Sequence, residues 1–224
     1  MTSMHASPLP LVLIGAGGHA KVVLALARAL GRNVMGVCDP VLAREAASHW
    51  RGLSVLGDDG ALQALSPQHV ELANGVGQLP TGPHVRQHLH ERYVELGFRF
   101  PALIHPTATV DASVSVAAGA QVLAGAILQV DVVVGEFSII NTGAQLDHDC
   151  QIGRHVHVAP GAVLCGGVTV GSHTFLGAGC TILPTLDIGE RCLVAAGSVL
   201  ARSLRDGASF RPYLDGGTRR EPSA

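Results

Sequence analysis

The chain has few charged residues and few aromatic residues, and it contains no run of basic residues. Of its 224 residues, 14% are charged and 4% are aromatic, and the formal net charge is -2 at pH 7. Without a cluster of Lys and Arg, the surface has nothing that would hold a nucleic acid or an anionic membrane. We therefore expect neither of these among its partners.

Long hydrophobic runs are also absent, and the cysteines do not form motifs. No stretch approaches the ~18 continuous apolar residues of a membrane span, and the N-terminal PLPLVLIGAGG lacks the basic segment of a secretion signal, so we expect a cytoplasmic protein. Without a CxxC pair, a disulfide framework and a cysteine zinc site are both disfavoured, and buried reduced thiols are predicted. The cysteines are Cys38, Cys150, Cys165, Cys180 and Cys192.

The second half of the chain contains a hexapeptide repeat. From Ile104 to Leu200, every sixth residue is Ile, Val or Leu, and the residue four positions after each is small, β-branched or apolar. A period of six fits neither an α-helix nor a simple strand, and it is typical of the hexapeptide repeat of a parallel β-helix. A β-sandwich with fortuitous spacing is the alternative, and the unbroken series leaves it little room.

Three hexads close one triangular coil, so residues one coil apart in sequence stack at the ordinary strand spacing of ~4.8 Å. We predict a left-handed parallel β-helix over residues 104–206 and a C-terminal cap and tail over residues 207–224. Glycine follows the aliphatic position at several corners, and we interpret these glycines as turns that need backbone freedom. They are Gly135, Gly153, Gly171, Gly177 and Gly189.

Residues 1–103 follow a different pattern, in which short apolar strands alternate with helices. PLVLIGAGGHAKVVLALARALG indicates a strand, a glycine-rich turn and a helix, and VMGVCDP indicates a second strand that ends at Asp39. Continued alternation predicts an α/β Rossmann-like domain with a parallel sheet. The turn matches GxGxxA through Gly15, Gly17 and Ala20, and the backbone amides at the helix N-terminus would hold a pyrophosphate. A purely structural turn is the alternative, and the motif alone does not imply NAD.

The stretch QLDHDCQIGRHVHV, from Gln145 to Val158, is unusually polar for the repeat. Leu146 and Cys150 take inward positions, so the DHD segment between them is predicted on an outward corner. His148, His155 and His157 are spread over about half a coil, so one subunit cannot bring them to a shared metal, and we predict no metal site. We also predict that His155, beside a turn, lies at the surface.

GAGGHAKVV, followed by an uninterrupted hexapeptide β-helix carrying INTGAQLDHDCQIG, resembles the bacterial sugar acetyltransferases. That family includes sialic-acid O-acetyltransferases and N-acetyltransferases of nucleotide-linked 4-amino sugars in surface-glycan biosynthesis. The resemblance spans nearly the whole chain. It implies a homotrimer with active sites between subunits, sugar nucleotide on the N-terminal domain, acetyl-CoA along the β-helix, and no nicotinamide.

The resemblance also implies roles for single residues. His148 falls on the family's general base, and Asp149 is expected to orient its ring, although Asp147 is equally close in sequence. His157 matches a histidine that contacts acetyl-CoA. The repeat spacing adds Gly166, which follows His148 by one full coil, so its N–H is expected to face the developing oxyanion or the thioester carbonyl, with Gly167 leaving room for the pantetheine arm.

The sugar nucleotide is expected on the N-terminal glycine turn, with GAGGH around the phosphates and an acidic residue at the distance typical of a ribose ligand. The predicted residues are Gly15, Gly17, Gly18, His19 and Asp39.

We therefore predict an acetyl-CoA-dependent N-acetyltransferase that acts on a nucleotide-linked 4-amino sugar by direct attack. A cysteine nucleophile is disfavoured because Cys150, Cys180 and Cys192 take inward positions, where buried thiols react poorly. Two alternatives stay open. One is O-acetylation of a free or CMP-linked sialic acid, and the other is a noncatalytic hexapeptide scaffold that binds a nucleotide.

Overall fold

The computed structural model describes residues 8–78 and 84–212, so residues 213–224 of the predicted tail lie outside the described residues. The chain divides into two compact units. The first extends to Pro106 and also includes Ala117–Val122, and the second contains Thr107–Val116 and continues from Leu123. No helix within the described residues is long and apolar enough to cross a membrane.

The first unit is built on a five-stranded sheet of order β3-β4-β2-β1-β5. All its strand pairs are parallel except β3 with β4, which form an antiparallel edge pair. The predicted Rossmann-like α/β architecture is therefore confirmed. The strands are β1 (Leu11–Ile14), β2 (Val34–Cys38), β3 (His49–Trp50), β4 (Leu53–Gly57) and β5 (Glu71–Asn74), and the helices are α1 (Gly18–Ala29), α2 (Pro40–Arg44), α3 (Asp59–Gln63) and α4 (Val85–Glu95).

The central strand and the helix after it carry the core of this unit. Every residue of β1 is buried, as expected for a strand with neighbours on both sides. Helix α1 buries one apolar face that includes Val23 and Leu26. Gly31 then ends the helical segment in a left-handed conformation, with φ of +65°, and its N–H donates to Arg28 O.

A short parallel pair completes the first unit. Strand β6 (Leu103–Ile104) pairs with β9 (Gln121–Val122), in the register Leu103 to Gln121. Because of this pairing, Gln121 belongs to the same unit as the glycine turn that follows β1.

The second unit is a parallel β-helix of short strands, each paired with the strand one coil further along the chain, such as Ile127 with Gln145 and His157 with Phe175. Its first face holds β7 (Thr109–Val110), β10 (Ile127–Leu128), β13 (Gln145–Leu146), β16 (Val163–Leu164), β19 (Thr181–Ile182) and β22 (Val199–Leu200). The second holds β8 (Ser115–Val116), β11 (Val133–Val134), β14 (Gln151–Ile152), β17 (Thr169–Val170) and β20 (Asp187–Ile188). The third holds β12 (Ile139–Ile140), β15 (His157–Val158), β18 (Phe175–Leu176), β21 (Leu193–Val194) and β23 (Ser209–Phe210). The fold is the predicted left-handed β-helix.

The repeat positions fill the interior of the β-helix. Leu146, Val158 and Leu164 are fully buried, as the hexad pattern predicts. Burial also raises the pKa of the Cys150 thiol to about 11 and that of Cys180 to about 12, which keeps both thiols protonated and unreactive at neutral pH. The prediction of buried thiols fails only for Cys165, which is half-buried.

The glycines after the aliphatic positions are required for a reason other than the one predicted. Neither Gly135 nor Gly153 has a positive φ, so backbone freedom is not what the corner uses. A Cβ at Gly135 would instead lie 2.6 Å from the carbonyl carbon of Gly153, on the next coil. Stacked coils approach too closely at this corner for any side chain.

The last strand within the described residues is one that the hexad pattern does not predict. Strand β23 (Ser209–Phe210) pairs with β21 in parallel, in the register Leu193 to Ser209. This spacing is shorter than a full coil, so the sequence falls out of the repeat although the chain still adds a rung. The added rung lies within residues 207–224, the segment for which we predict a cap.

Candidate active site

His148 lies at the corner between the first and second faces of the β-helix, which we call the His148 corner (residues 147–150). Its side chain is 62% exposed, and Nδ1 lies 2.7 Å from Oδ2 of Asp149. Asp147 does something else, because its Oδ1 accepts the backbone N–H of His148 at 2.8 Å. The two carboxylates, which could not be told apart from the sequence, therefore have different partners. Asp149 contacts the imidazole of His148, and Asp147 accepts its backbone N–H.

The contact with Asp149 decides which nitrogen of His148 is available. A carboxylate only accepts hydrogen bonds, so Nδ1 carries the proton in the neutral ring, and Nε2 keeps a lone pair. The hydrogen bond to Asp149, and the charge of Asp147, raise the pKa of His148 above its usual value. This geometry suits a general base.

Gly166 lies directly beneath the His148 ring, as their spacing of one coil predicts. A Cβ added at Gly166 would overlap His148 Nε2 and lie 2.5 Å from Cε1. Gly167 follows with φ of +71°, and its N–H donates to His148 O at 2.8 Å. The Gly166 N–H has no acceptor among the described residues. Two adjacent coils thus place a basic nitrogen and an available N–H on the same corner.

A shallow pocket of about 200 Å³ lies on the outer surface of the first face, next to this corner. Asp147 lies at its edge, and the half-buried Cys165 contributes from the next coil. Its other lining residues come from β10, β13 and β16 and the positions that follow these strands.

His157 lies on the third face of the same coil, across the triangular section from the His148 corner. It is 7% exposed, and its Nε2 is 3.1 Å from Asn141 Nδ2. The ring of Phe175, one coil further, contacts it edge-on at 4.8 Å. One subunit therefore does not bring His148 and His157 together.

The prediction that His155 lies at the surface is wrong. It is only 3% exposed, and its ring stacks between Phe137 and His173 at centroid distances of 5.1 and 5.2 Å. These three residues occupy the same left-handed turn position on successive coils. The physical reason is lateral stacking along the axis, which buries a ring on the outside of a coil.

The glycine turn lines a second pocket, of about 320 Å³, together with Asp39 and residues 75–77. Gly15 has a φ of +86°, a left-handed conformation that favours glycine at this position. A Cβ at Gly17 or at Gly18 would meet nothing within 4 Å. Glycine there keeps space open that the described protein does not fill, beside the N-terminal amides of α1.

Asp39 has a structural task in this turn. Its Oδ2 accepts the N–H of Ala16 at 2.9 Å, and its Oδ1 accepts those of Val41 and Leu42 at 2.8 and 3.0 Å. Asp39 therefore caps the N-terminus of α2 and links the glycine turn to this helix through hydrogen bonds. The expected ribose contact would have to share oxygens that already accept backbone hydrogen bonds.

His19 lines the same pocket and is bonded to a residue that sequence reasoning missed. Its Nε2 lies 2.8 Å from Oε1 of Gln121. Burial, with a smaller effect from Arg86, lowers the pKa of His19 to about 4, so the ring is neutral at physiological pH. No local signal links the two residues, because 102 positions separate them.

Each of the two units contains a region that matches a known protein family. The PglD N-terminal domain matches residues 10–93, and the bacterial transferase hexapeptide (six repeats) matches residues 131–166. PerB from Caulobacter crescentus, solved with CoA and GDP-perosamine, is 39% identical, with 89% of this chain and 92% of that chain covered and a TM-score of 0.80. No curated protein gives a significant match.

Two further solved structures are similar over most of the chain. The acetyltransferase domain of PglB from Neisseria gonorrhoeae FA1090, solved with acetyl coenzyme A, is 34% identical, covers 90% of this chain and 95% of that chain, and has a TM-score of 0.82. WeeI from Acinetobacter baumannii AYE shares the fold at 21% identity, with 90% and 95% covered and a TM-score of 0.79.

The fold is that of a hexapeptide-repeat acyltransferase. With a PglD-type N-terminal domain, and with the PglB and PerB structures similar to it over almost their whole length, the chain belongs to the PglD- and PerB-like hexapeptide acyltransferases, and it is an acetyltransferase.

Proposed function

We propose that the protein transfers the acetyl group of acetyl-CoA to the amino group of a nucleotide-linked 4-amino sugar. The observation that carries the proposal is the His148 corner, where an imidazole bonded to a carboxylate lies next to Gly166, whose N–H has no acceptor among the described residues. The complexes of PerB with CoA and GDP-perosamine, and of PglB with acetyl coenzyme A, support the choice of substrates.

The amine nitrogen attacks the thioester carbonyl carbon and forms the new C–N bond. His148 Nε2 takes the proton that the nitrogen loses, and the carbonyl oxygen becomes an oxyanion. When the tetrahedral intermediate collapses, the C–S bond breaks, and the CoA thiolate leaves with the proton returned by His148. An imidazole can both take up and return a proton in the physiological pH range, so it suits both transfers.

Asp149 and Gly166 support this step in different ways. Asp149 holds the ring in the tautomer with Nε2 unprotonated and stabilises the imidazolium that forms. The Gly166 N–H is an available donor for the oxyanion, and such donors typically contribute ~10²- to 10³-fold in turnover. Gly167 adds no side chain, which leaves room for the pantetheine arm.

The proposal includes a homotrimer with active sites between subunits. His148 and His157 lie on opposite parts of one coil, so a site that uses both takes His148 from one subunit and His157 from its neighbour. His157 would contact acetyl-CoA there.

A thiol-release assay tests the proposal, with acetyl-CoA, a panel of UDP-, GDP- and dTDP-linked amino sugars, and free and CMP-linked sialic acid. We expect release with one nucleotide-linked 4-amino sugar, and His148→Ala should lower turnover by roughly 10²- to 10⁴-fold while the trimer persists. Release only with sialic acids would favour O-acetylation. Nucleotide binding without release from any acceptor would favour the noncatalytic scaffold.

A further inference from the structure

His19 is held in a buried hydrogen-bonded chain that fixes the position of its proton. Gln121 donates from Nε2 to the backbone oxygen of Asn74 at 2.9 Å, and its Oε1 lies 2.8 Å from His19 Nε2. Gln121 is 2% exposed, so no water competes for these bonds. All three residues belong to the first unit.

The orientation of the Gln121 amide follows from its partner. A backbone carbonyl only accepts, so the group that faces Asn74 O is the amide nitrogen, and the oxygen is turned to His19. Reversing the amide would place two oxygens against each other. His19 must therefore donate to Gln121 from Nε2, which leaves Nδ1 without a proton whenever the ring is neutral.

The surroundings keep the ring in this state and in this place. The guanidinium of Arg86, which donates to the backbone oxygens of Asn74 and Val76 at 3.1 and 2.8 Å, disfavours a second positive charge nearby. A Cβ at Gly77 would lie 3.3 Å from His19 Cβ, so the loop packs closely over the residue. His19 Nδ1 bonds to no described residue, and His19 lines the pocket beside the glycine turn.

We infer that Gln121 locks His19 as a pure hydrogen-bond acceptor, so that His19 Nδ1 recognises a hydroxyl group of the bound sugar nucleotide and not its phosphates. This inference rests on the proposed function. The GAGGH motif led us to expect His19 at the phosphates, and the inference changes that role. Ionised phosphate oxygens accept hydrogen bonds and donate none, so they would repel the Nδ1 lone pair. The phosphates are left to the amides of the glycine turn.

The tautomer is tested first, without any ligand. Long-range ¹H–¹⁵N NMR of the uncomplexed protein shows which ring nitrogen of His19 carries the proton, and we expect Nε2. Gln121→Met keeps the volume but removes the acceptor, and Asn74 O retains its Arg86 donor, so the fold should persist with both tautomers populated. An Nδ1-protonated ring in the wild-type protein would overturn the inference.

Recognition is tested with two matched variants. His19→Asn keeps a polar atom near the position of Nδ1, whereas His19→Gln reaches toward Gln121 and loses that atom. Calorimetry with GDP, UDP and the sugar nucleotide that the acetylation panel identifies should show about 3- to 10-fold weaker binding for His19→Gln and a smaller loss for His19→Asn. The reverse order would mean that only the bond to Gln121 matters, and it would refute recognition through Nδ1.

The source of the hydroxyl is resolved by the ligands. If it belongs to the ribose, a 2′- or 3′-deoxy nucleotide loses affinity for the wild type but not for His19→Gln. If it belongs to the sugar, His19→Gln weakens only the complete sugar nucleotide. Equal binding of all ligands by both proteins would overturn the inference with the proposed function intact, whereas binding of none by the wild type would count against the proposed function itself.

Discussion

The substitution Gly166→Ala should move the His148 ring without changing the fold of the β-helix. The backbone at Gly166 accepts a side chain, because Val130, His148 and Pro184 occupy the equivalent turn position on other coils of this corner. The new methyl would overlap His148 Nε2 and lie 2.5 Å from Cε1, where ordinary contacts need about 3.5 Å. The ring must then move by about 1 Å.

A displacement of this size is small for the fold and large for the reaction. A misplacement of about 1 Å at a reacting group typically costs ~10²-fold in rate. The exposed ring can swing into solvent, so the melting temperature should change by only a few degrees. We expect kcat to fall about 100-fold in the thiol-release assay, with the acetyl-CoA KM much less affected.

The matched control is Gly166→Ala in a His148→Ala background. Without the ring there is nothing for the methyl to displace, so the second substitution should leave the residual rate unchanged. A further fall in the double variant would show that the methyl obstructs acetyl-CoA and not the base. Wild-type turnover of Gly166→Ala would refute the placement of His148 Nε2 at the reacting atoms.

Three other outcomes follow from the same geometry. Asp149→Ala should move the acid limb of the kcat/KM profile to lower pH, because the base must be unprotonated and its hydrogen bond to Asp149 raises its pKa; an unmoved limb would exclude His148 as the titrating base. Gly17→Val should raise KM for the sugar nucleotide and leave that for acetyl-CoA nearly unchanged, since the new side chain enters only pocket space; equal effects on both would contradict the division of substrates. Mixing His148→Ala with His157→Ala subunits should restore about a quarter of the sites, because each mixed trimer has one boundary with both histidines; exchange without recovery would exclude a shared site.

Much of the fold was predictable because the position of a residue in the hexad determines whether its side chain points into the β-helix or away from it. A residue such as Leu146 fills the axis, and a residue such as His148 must lie outside. The pattern says nothing about neighbours along the axis, which is why the burial of His155 was missed. An aromatic series with one member per coil, Phe137, His155 and His173, was the signal that would have found it.

The contacts of the glycine turn were less accessible from sequence. Asp39 stands at the distance of a ribose ligand, yet its carboxylate accepts three backbone N–H groups, because a helix N-terminus and a turn converge on it. Gln121 takes an outward position of its hexad, where the repeat does not restrict the residue type, so the pattern did not mark it. The pairing of β6 with β9, which the repeat does not reveal, belongs to the unit that holds His19.

Two histidines of this chain have opposite properties because their partners differ. At His148, a carboxylate accepts from Nδ1 and stabilises positive charge, so Nε2 can take a proton and hold it through the reaction. At His19, an amide oxygen accepts from Nε2, and burial opposes charge, so Nδ1 can accept a hydrogen bond but does not keep a proton at neutral pH. Exchanging the partners would remove both functions: a neutral amide at residue 149 would no longer stabilise the imidazolium of His148, and a carboxylate at residue 121 would favour a charged His19 that donates from Nδ1. The hydrogen-bond partner, more than the histidine itself, therefore determines whether each ring transfers a proton or recognises a ligand.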